Sequence, residues 1–253
     1  MDRGSYSAAA GMLSGQKAIN VMSNNVANIA TTGYKSQSTI QSSFGDYLIS
    51  RMSTDPDIAK TDIGTGTYIT VDAGQFTDFT QGSVEETGRS VDAAIQGQGF
   101  FVVQNATYGQ VLTRNGQFEL DQTGNLTLPG VGNVLNSAGQ PINLKGSDFT
   151  IGSDGTITQN GVASGKLYIA TVTNGTDLTQ VGEGYFQSQN GFQAAQNGTY
   201  SVVQGSIEKS NVDMTKEMSE IISRQNHFTS CTQMLKIFDS IAEIAANKVG
   251  KLG

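Results

Sequence analysis

Five Asn-Gly dipeptides, at 115, 160, 174, 190 and 197, punctuate residues 115–198 of this chain and limit what it can fold into. Asn-Gly adopts positive φ at both central turn positions with little strain, so it closes tight hairpins and interrupts helices. Between these points lie short alternating segments: "FFVVQ", "GQFEL", "DQTGNLTL", "SDGTITQNG", "GKLYIATVTNG" and "SQNGFQAAQNGTYSVVQG". Their period of two predicts short antiparallel strands, with Asn115-Gly116 as a hairpin signal after "NATYGQVLTR".

The two ends follow a different period. Ala8, Met12, Ile19, Met22, Val26 and Ile29 recur at helical spacing, with Gly15 at the missing position, and from Met12 onward the steps fit a heptad seam. Tyr6, Ala9, Ala10 and Leu13 mark a neighbouring face. Thr31, Thr32 and Gly33 are expected to end this helix, with Gly33 at its left-handed C′ position. At the other end Asn211 or Asp213 can cap a helix, and Glu217 suits the positive end of its dipole. Met214, Met218, Ile221, Gln225 and Phe228 step by four and three. Cys231, Leu235, Phe238, Ala242, Ala245 and Val249 continue the stripe after a phase slip at Phe228. Ile222, Met234, Ile237, Ile241 and Ile244 widen the apolar face, so more than one neighbour is needed to cover it.

Residues 36–85 are less regular. A short apolar segment, "FGDYLI", and a polar stretch, "STDPDIAKTD", precede "GTYITVDAGQFTDFTQG", which reads as a hairpin. The expected fold class is therefore α+β. Long N- and C-terminal helices form a coiled-coil-like domain around an all-β central region of short antiparallel strands. The expected boundaries are 1–35 with 206–253 for the helical domain, 36–85 for a linker and hairpin, and 86–205 for the β-domain.

Composition excludes several functions. The chain has 253 residues, a net charge of −7 and only 15 % charged residues, and its few basic residues form no stripe. Nucleic acid and anionic lipid are therefore unsuitable partners. No run approaches the ~20 apolar residues of a membrane span, and no apolar stretch near the start suits a cleaved signal peptide. Cys231 is the single cysteine, so no intramolecular disulfide can form.

Enzymatic readings find little support. Gly97-Gln98-Gly99 precedes a strand and lacks the third glycine and the helix of a dinucleotide fingerprint. His227 and Cys231 share a helix face, yet two ligands do not close a metal site, and the chain has no other His or Cys. No nucleophile–base arrangement can be assembled, and no cofactor is expected. Glu85-Glu86, Asp121 and Asp154 stand in turn-like contexts. A carboxylate pair acting on glycans stays open, because separation in space is not legible in sequence.

Three stretches carry a resemblance to a known family. "NNVANIATTGYK" (24–35) is similar to the N-terminal signature of the flagellar basal-body rod and hook axial proteins. "VDAAIQGQGFFVV" with "LTRNGQFELDQTGNL" resembles the start of their central β-domain, and "GSIEKSNVDMTKEMSEIISRQNHF" their C-terminal signature. The length, and "IGTGTYITVDAGQFTDFTQGSVEETGRSVDAAI", look most like the rod members.

The resemblance implies a non-enzymatic subunit of the basal-body rod in the cell envelope. It would leave through the flagellar type III export apparatus and polymerise with itself and other axial proteins. An export gate would be a second partner, docked by Phe44 and Leu48 in a Phe-x-x-x-apolar element; the alternative is that these two pack within one helical turn. The expected assembly interface comprises Met12, Ile19, Met22, Asn24, Asn25, Val26, Asn28, Ile29, Met218, Ile221, Phe228, Leu235 and Phe238. Within it Asn24, Asn25 and Asn28 are poor helix formers. Their amides either cap and fray the helix end or hydrogen-bond to neighbouring subunits. The reading from another class is a secreted β-rich cell-wall hydrolase or glycan-binding protein.

Overall fold

A computed structural model describes residues 3–43, 47–51, 61–66, 70–144, 146, 148–172 and 178–249. The chain is α+β, with helices near both ends flanking a central antiparallel β region. It divides into two compact units. One holds Met1–Val26, Gln37–Phe76 and Met214–Gly253, and the other Ala27–Ser36 and Thr77–Asp213. The segments after the first helix and before the last one, expected with the helices, thus lie with the β unit.

In the first unit α1 (Arg3–Ala27) and α2 (Met214–Val249) run antiparallel. Three glycines of α1 bring the two together. A Cβ at Gly4 would stand 2.6 Å from the Phe238 ring, one at Gly11 3.2 Å from Cys231 Sγ, and one at Gly15 3.8 Å from Phe228 Cβ. Position numbers rise on one helix as they fall on the other. The Thr232 hydroxyl reaches Met12 Sδ at 3.6 Å, and Asn25 reaches Glu217 at 3.1 Å.

This contact keeps Ala8 and Gly15 of the expected α1 seam and moves it by one residue at Met12, Ile19, Met22 and Val26. On α1 the stripe is Gly4, Ala8, Gly11, Gly15, Ala18, Val21 and Asn25, with all but Gly4 and Gly11 buried. Met12, Ile19, Met22 and Val26 are only half-buried along its flank. On α2 Glu217, Ile221, Arg224, Phe228, Cys231, Leu235 and Phe238 are half-buried at uninterrupted steps of four and three, with Thr232 half-buried beside Cys231. No phase slip exists at Phe228. It arose from reading Met218 and Gln225, which are exposed, in place of Glu217 and Arg224. Apolar character alone misplaced the stripe because Glu and Arg can bury their stems while the heads stay polar.

Helix α1 also stops at Ala27, six residues before Gly33. The Asn28 carbonyl accepts from Thr31 N–H, and Asn28 Oδ1 accepts from the Thr31 hydroxyl, so local turn bonds displace the helical ladder. Gly33 has φ 69°, but its N–H donates to the Glu208 carbonyl at 2.7 Å. Asn28 and Ile29 are therefore not helical.

Strands β1 (Gln37–Ser43), β2 (Tyr47–Arg51), β3 (Thr61–Gly66) and β4 (Thr70–Thr77) complete this unit. β1 pairs with β4, and β2 pairs antiparallel with β3. Of "GTYITVDAGQFTDFTQG", expected as a hairpin, Thr70–Thr77 is β4 and pairs with β1, while residues 67–69 lie outside the described residues.

The second unit is built on a nine-stranded sheet centred on Phe100–Asn105 and Gly109–Thr113. "FFVV" is a continuous apolar run because both faces of its strand are covered. Phe101 and Val103 enter a large core with Phe118, Leu126 and Ile157, while Phe100 and Val102 enter a second one with Leu112, Leu135 and Phe186. Asn160-Gly161 forms the two-residue turn expected of it, with φ 51° and 77°. Asn115-Gly116 does not. Gly116 stands so close to the Ala93 carbonyl that a Cβ would overlap the oxygen, and Glu119–Leu120 pairs with Leu126–Leu128, not with the preceding strand. Absence of a side chain, not turn geometry, is what Gly116 contributes.

Candidate assembly site and its buried junction

The terminal helices leave much apolar surface uncovered. On α1 Tyr6 and Leu13 are exposed, and on α2 Met214, Met218, Ile222, Met234, Ile237, Ile241 and Ile244 are exposed by 40 % or more. Scattered exposed apolar residues are ordinary, but Met234, Ile237, Ile241 and Ile244 repeat at helical steps on one face. Beyond Phe238, which meets Gly4 near the start of α1, every α2 residue from Asp239 to Lys248 is exposed. Ile221, Phe228, Leu235 and Phe238 of the expected interface share the α2 stripe that faces α1; Met218 does not.

The three asparagines separate into different roles. Asn25 is fully buried: its amide donates to the Gln37 carbonyl at 2.8 Å and to Glu217 Oε1, and its Oδ1 accepts from Gln37 N–H at 3.0 Å. It ties the start of β1 to α1 within the chain. Asn28 closes the turn after the helix, which is the capping role. Asn24 is exposed on α1, beside Lys17, Asn20, Gln37 and Gln75 around a polar groove of about 330 Å³. Of the export element, Phe44 lies outside the described residues. Leu48 is in β2, so the helical-turn alternative does not describe it.

A buried charge cluster is one feature that sequence reasoning missed. Within the β unit Lys35, Glu208 and Arg114 form a buried cluster, each less than 5 % exposed. Lys35 Nζ donates to Glu208 Oε1 at 2.6 Å and to the Thr80 carbonyl at 2.7 Å. Arg114 donates to Glu208 Oε2 at 3.0 Å and to the Gly97 carbonyl at 2.7 Å, and its guanidinium lies 5.3 Å from the Phe100 ring centroid. Gly82 N–H also donates to Glu208 Oε1. Two cations thus face one carboxylate out of water, and burial holds the Lys35 amine below its usual value, despite Glu208. Beside them Asn211 accepts from Ser36 N–H at 2.8 Å and donates to the Asp78 carbonyl at 2.9 Å. It caps nothing. The signal was present: Lys35, Arg114, and Glu208 with Asn211 fall in the three stretches that carried the resemblance.

Of the candidate carboxylates, Asp121 and Asp154 are turn residues, whereas Glu85 and Glu86, expected in a turn, lie in the strand Val84–Glu86 paired with Ser206–Glu208. Asp121 is held below the usual range, first by the Thr123 hydroxyl and then by the Asn125 N–H; Asp154 is held there by Thr156. A general acid requires the opposite shift. Glu85 pairs with Lys209. Cys231 Sγ lies 3.8 Å from His227 Nδ1, and among the described residues no three metal-binding side chains cluster.

Comparison with known proteins finds matches to three family models along the chain. Residues 6–35 match the family described as flagella basal body rod protein. Residues 94–159 match the flagellar hook protein FlgE/F/G D1 domain, and 203–248 the flagellar basal body rod FlgEFG protein C-terminal family. The chain is 32 % identical to the flagellar basal-body rod protein FlgG of Bacillus subtilis (strain 168), over 98 % of this chain and 99 % of the relative. It belongs to the flagellar basal-body rod protein family. FlgF proteins of Caulobacter vibrioides and Escherichia coli (strain K12) are 27 % and 29 % identical, over 100 % and 97 % of this chain and 99 % and 96 % of theirs. Members of this family are structural components of the flagellar basal body and not an enzyme class, and they place the chain there as a structural rod subunit among other axial proteins. The first matched segment ends at Lys35 and the third begins just before Glu208, so both include the buried junction.

Proposed function

We propose that this rod subunit polymerises through its terminal helices, which pack in coiled-coil fashion on each other and on those of neighbouring axial subunits. The observation that carries the reading is the exposed α2 face of Met234, Ile237, Ile241 and Ile244, the last two within Asp239–Lys248, which is exposed throughout. Repeated weak contacts between such faces make a stiff shaft, because each subunit engages several neighbours at once. Met12, Ile19, Met22 and Val26 supply a second half-covered stripe on α1. Cysteines placed at Ile237 and Ile241 test this: they should crosslink between subunits in isolated hook–basal bodies. Monomeric cysteines there would count against it.

Delivery to the growing shaft is proposed to use the flagellar type III apparatus, with Phe44 and Leu48 docking on the export gate. Support comes from the family and the Phe-x-x-x-apolar spacing. Phe44→Ala with Leu48→Ala should lower secretion while the β unit keeps its fold. Normal secretion of that double variant would remove the docking reading.

A further inference from the structure

The buried junction joins parts of the chain that are far apart in sequence: Lys35 follows α1, Arg114 lies in the β unit, and Glu208 and Asn211 precede α2. Each contributor is unfavourable to bury without the others. Lys35 and Arg114 together without Glu208 would be two unpaired cations, and Glu208 alone a carboxylate without its donors. Closure therefore depends on Glu208 meeting its donors. Asn211 extends it to where the chain passes between units, since it holds Ser36, which precedes β1, and Asp78, which follows β4. Ser36 and Asp78 are further joined by an Asp78 N–H to Ser36 carbonyl bond of 2.9 Å.

We propose that Lys35, Glu208, Arg114 and Asn211 form a latch that makes the pairing of α1 with α2 conditional on completion of the β unit. Until it closes, the two helices hang on connectors free to diffuse, and their encounter is governed by a low effective concentration. Once it closes, both connectors leave from one fixed place, and the helices meet as a pair. The consequence for the shaft rests on the assembly reading: a subunit whose centre is unfolded would not present a paired helical face. The latch itself is a property of the single chain.

The structure provides its own reporter. A Cβ at Gly11 would lie 3.2 Å from Cys231 Sγ, near the ~3 Å between one Cβ and the opposite sulfur of a disulfide. In the Gly11→Cys chain, dilute and oxidised with copper-phenanthroline, an intrachain disulfide should form rapidly. Adding Glu208→Gln should slow it at least ~10-fold while hydrogen exchange still protects Phe100–Asn105. An unchanged rate would overturn the latch, as would failure of Gly11→Cys to crosslink with the latch intact. If Glu208→Gln loses protection of that strand, Asn211→Ala decides, since it leaves the three charges in place. A slowed disulfide with the strand protected supports the latch, and the rate of the intact chain overturns it. A motile Ile237→Asp strain would undo the assembly reading alone and leave this result standing.

Discussion

Lys35 shows how one side chain can conflict with its surroundings and still be fixed by them. Its amine is buried against Glu208 but shares that carboxylate with Arg114, and desolvation holds its pKa below the ordinary 10.5. The unfolded chain therefore binds the Lys35 proton more tightly over the interval ending at that value. Stability from this group rises with pH there, as losing one proton leaves one cation per carboxylate. Measured by urea unfolding, the stability of the native chain relative to Lys35→Met should increase as pH is raised toward 10.5. A constant or falling difference would contradict the assigned shift. The glycines of α1 give a second residue-scale test. Gly15 meets Phe228 only at ordinary contact distance, so Gly15→Ala should gain the helix propensity difference of roughly 1 kcal/mol in the free chain. Gly4→Ala must first displace the Phe238 ring and should gain less or lose stability. Thermal melts of the two variants, followed at helical wavelengths, should therefore separate.

At the scale of elements, the segment Ala27–Ser36 packs with the β unit although it follows α1 directly. Limited proteolysis that removes the helices should consequently leave a peptide bearing Lys35 bound to the fragment beginning near Thr77, held by Glu208, Thr80 and Asn211. Its release without denaturant would show that the junction does not hold. The sequence made the existence of both helices legible, because an apolar period near 3.6 persists over more than six turns of α1. It did not make their contact face legible. Helix axes approach where side chains are smallest, so Gly4, Gly11 and Gly15 carry the contact while contributing little to hydropathy. The larger Ile19 and Val26 flank the contact and drew the phase to themselves. Strand pairing was legible at Asn160-Gly161, where the turn is local. It was not at β1 to β4, where partners are distant and no turn residue records the nesting. The buried charges escaped for a related reason: Lys35, Arg114 and Glu208 look like surface residues until the fold brings them together.

At the scale of the whole molecule, the helices carry one apolar stripe that faces the other helix and one that is exposed and proposed for assembly, and substitutions can tell them apart. Ile221 is half-buried on the stripe that faces α1, whereas Ile237 and Ile241 are 56 % and 55 % exposed. An aspartate at Ile221 places a charge against the helix pair inside one chain, so it should reduce monomer helicity as well as assembly. An aspartate at Ile237 or Ile241 is hydrated in the free chain, where surface changes usually stay within about 0.5 kcal/mol. In a polymer the same charge enters an apolar contact without a partner, a cost of several kcal/mol repeated at every copy. Ile237→Asp and Ile241→Asp should therefore be made with native stability and fail to build a shaft, leaving cells non-motile. Val26→Asp tests the α1 flank in the same way, and Val26→Ile, which only adds a methylene, should be nearly silent. Motility assays paired with circular dichroism of the purified chains separate these outcomes. Wild-type swimming by both Ile237→Asp and Ile241→Asp would mean that this face stays in water in the assembled rod, and that the neighbouring subunit binds elsewhere.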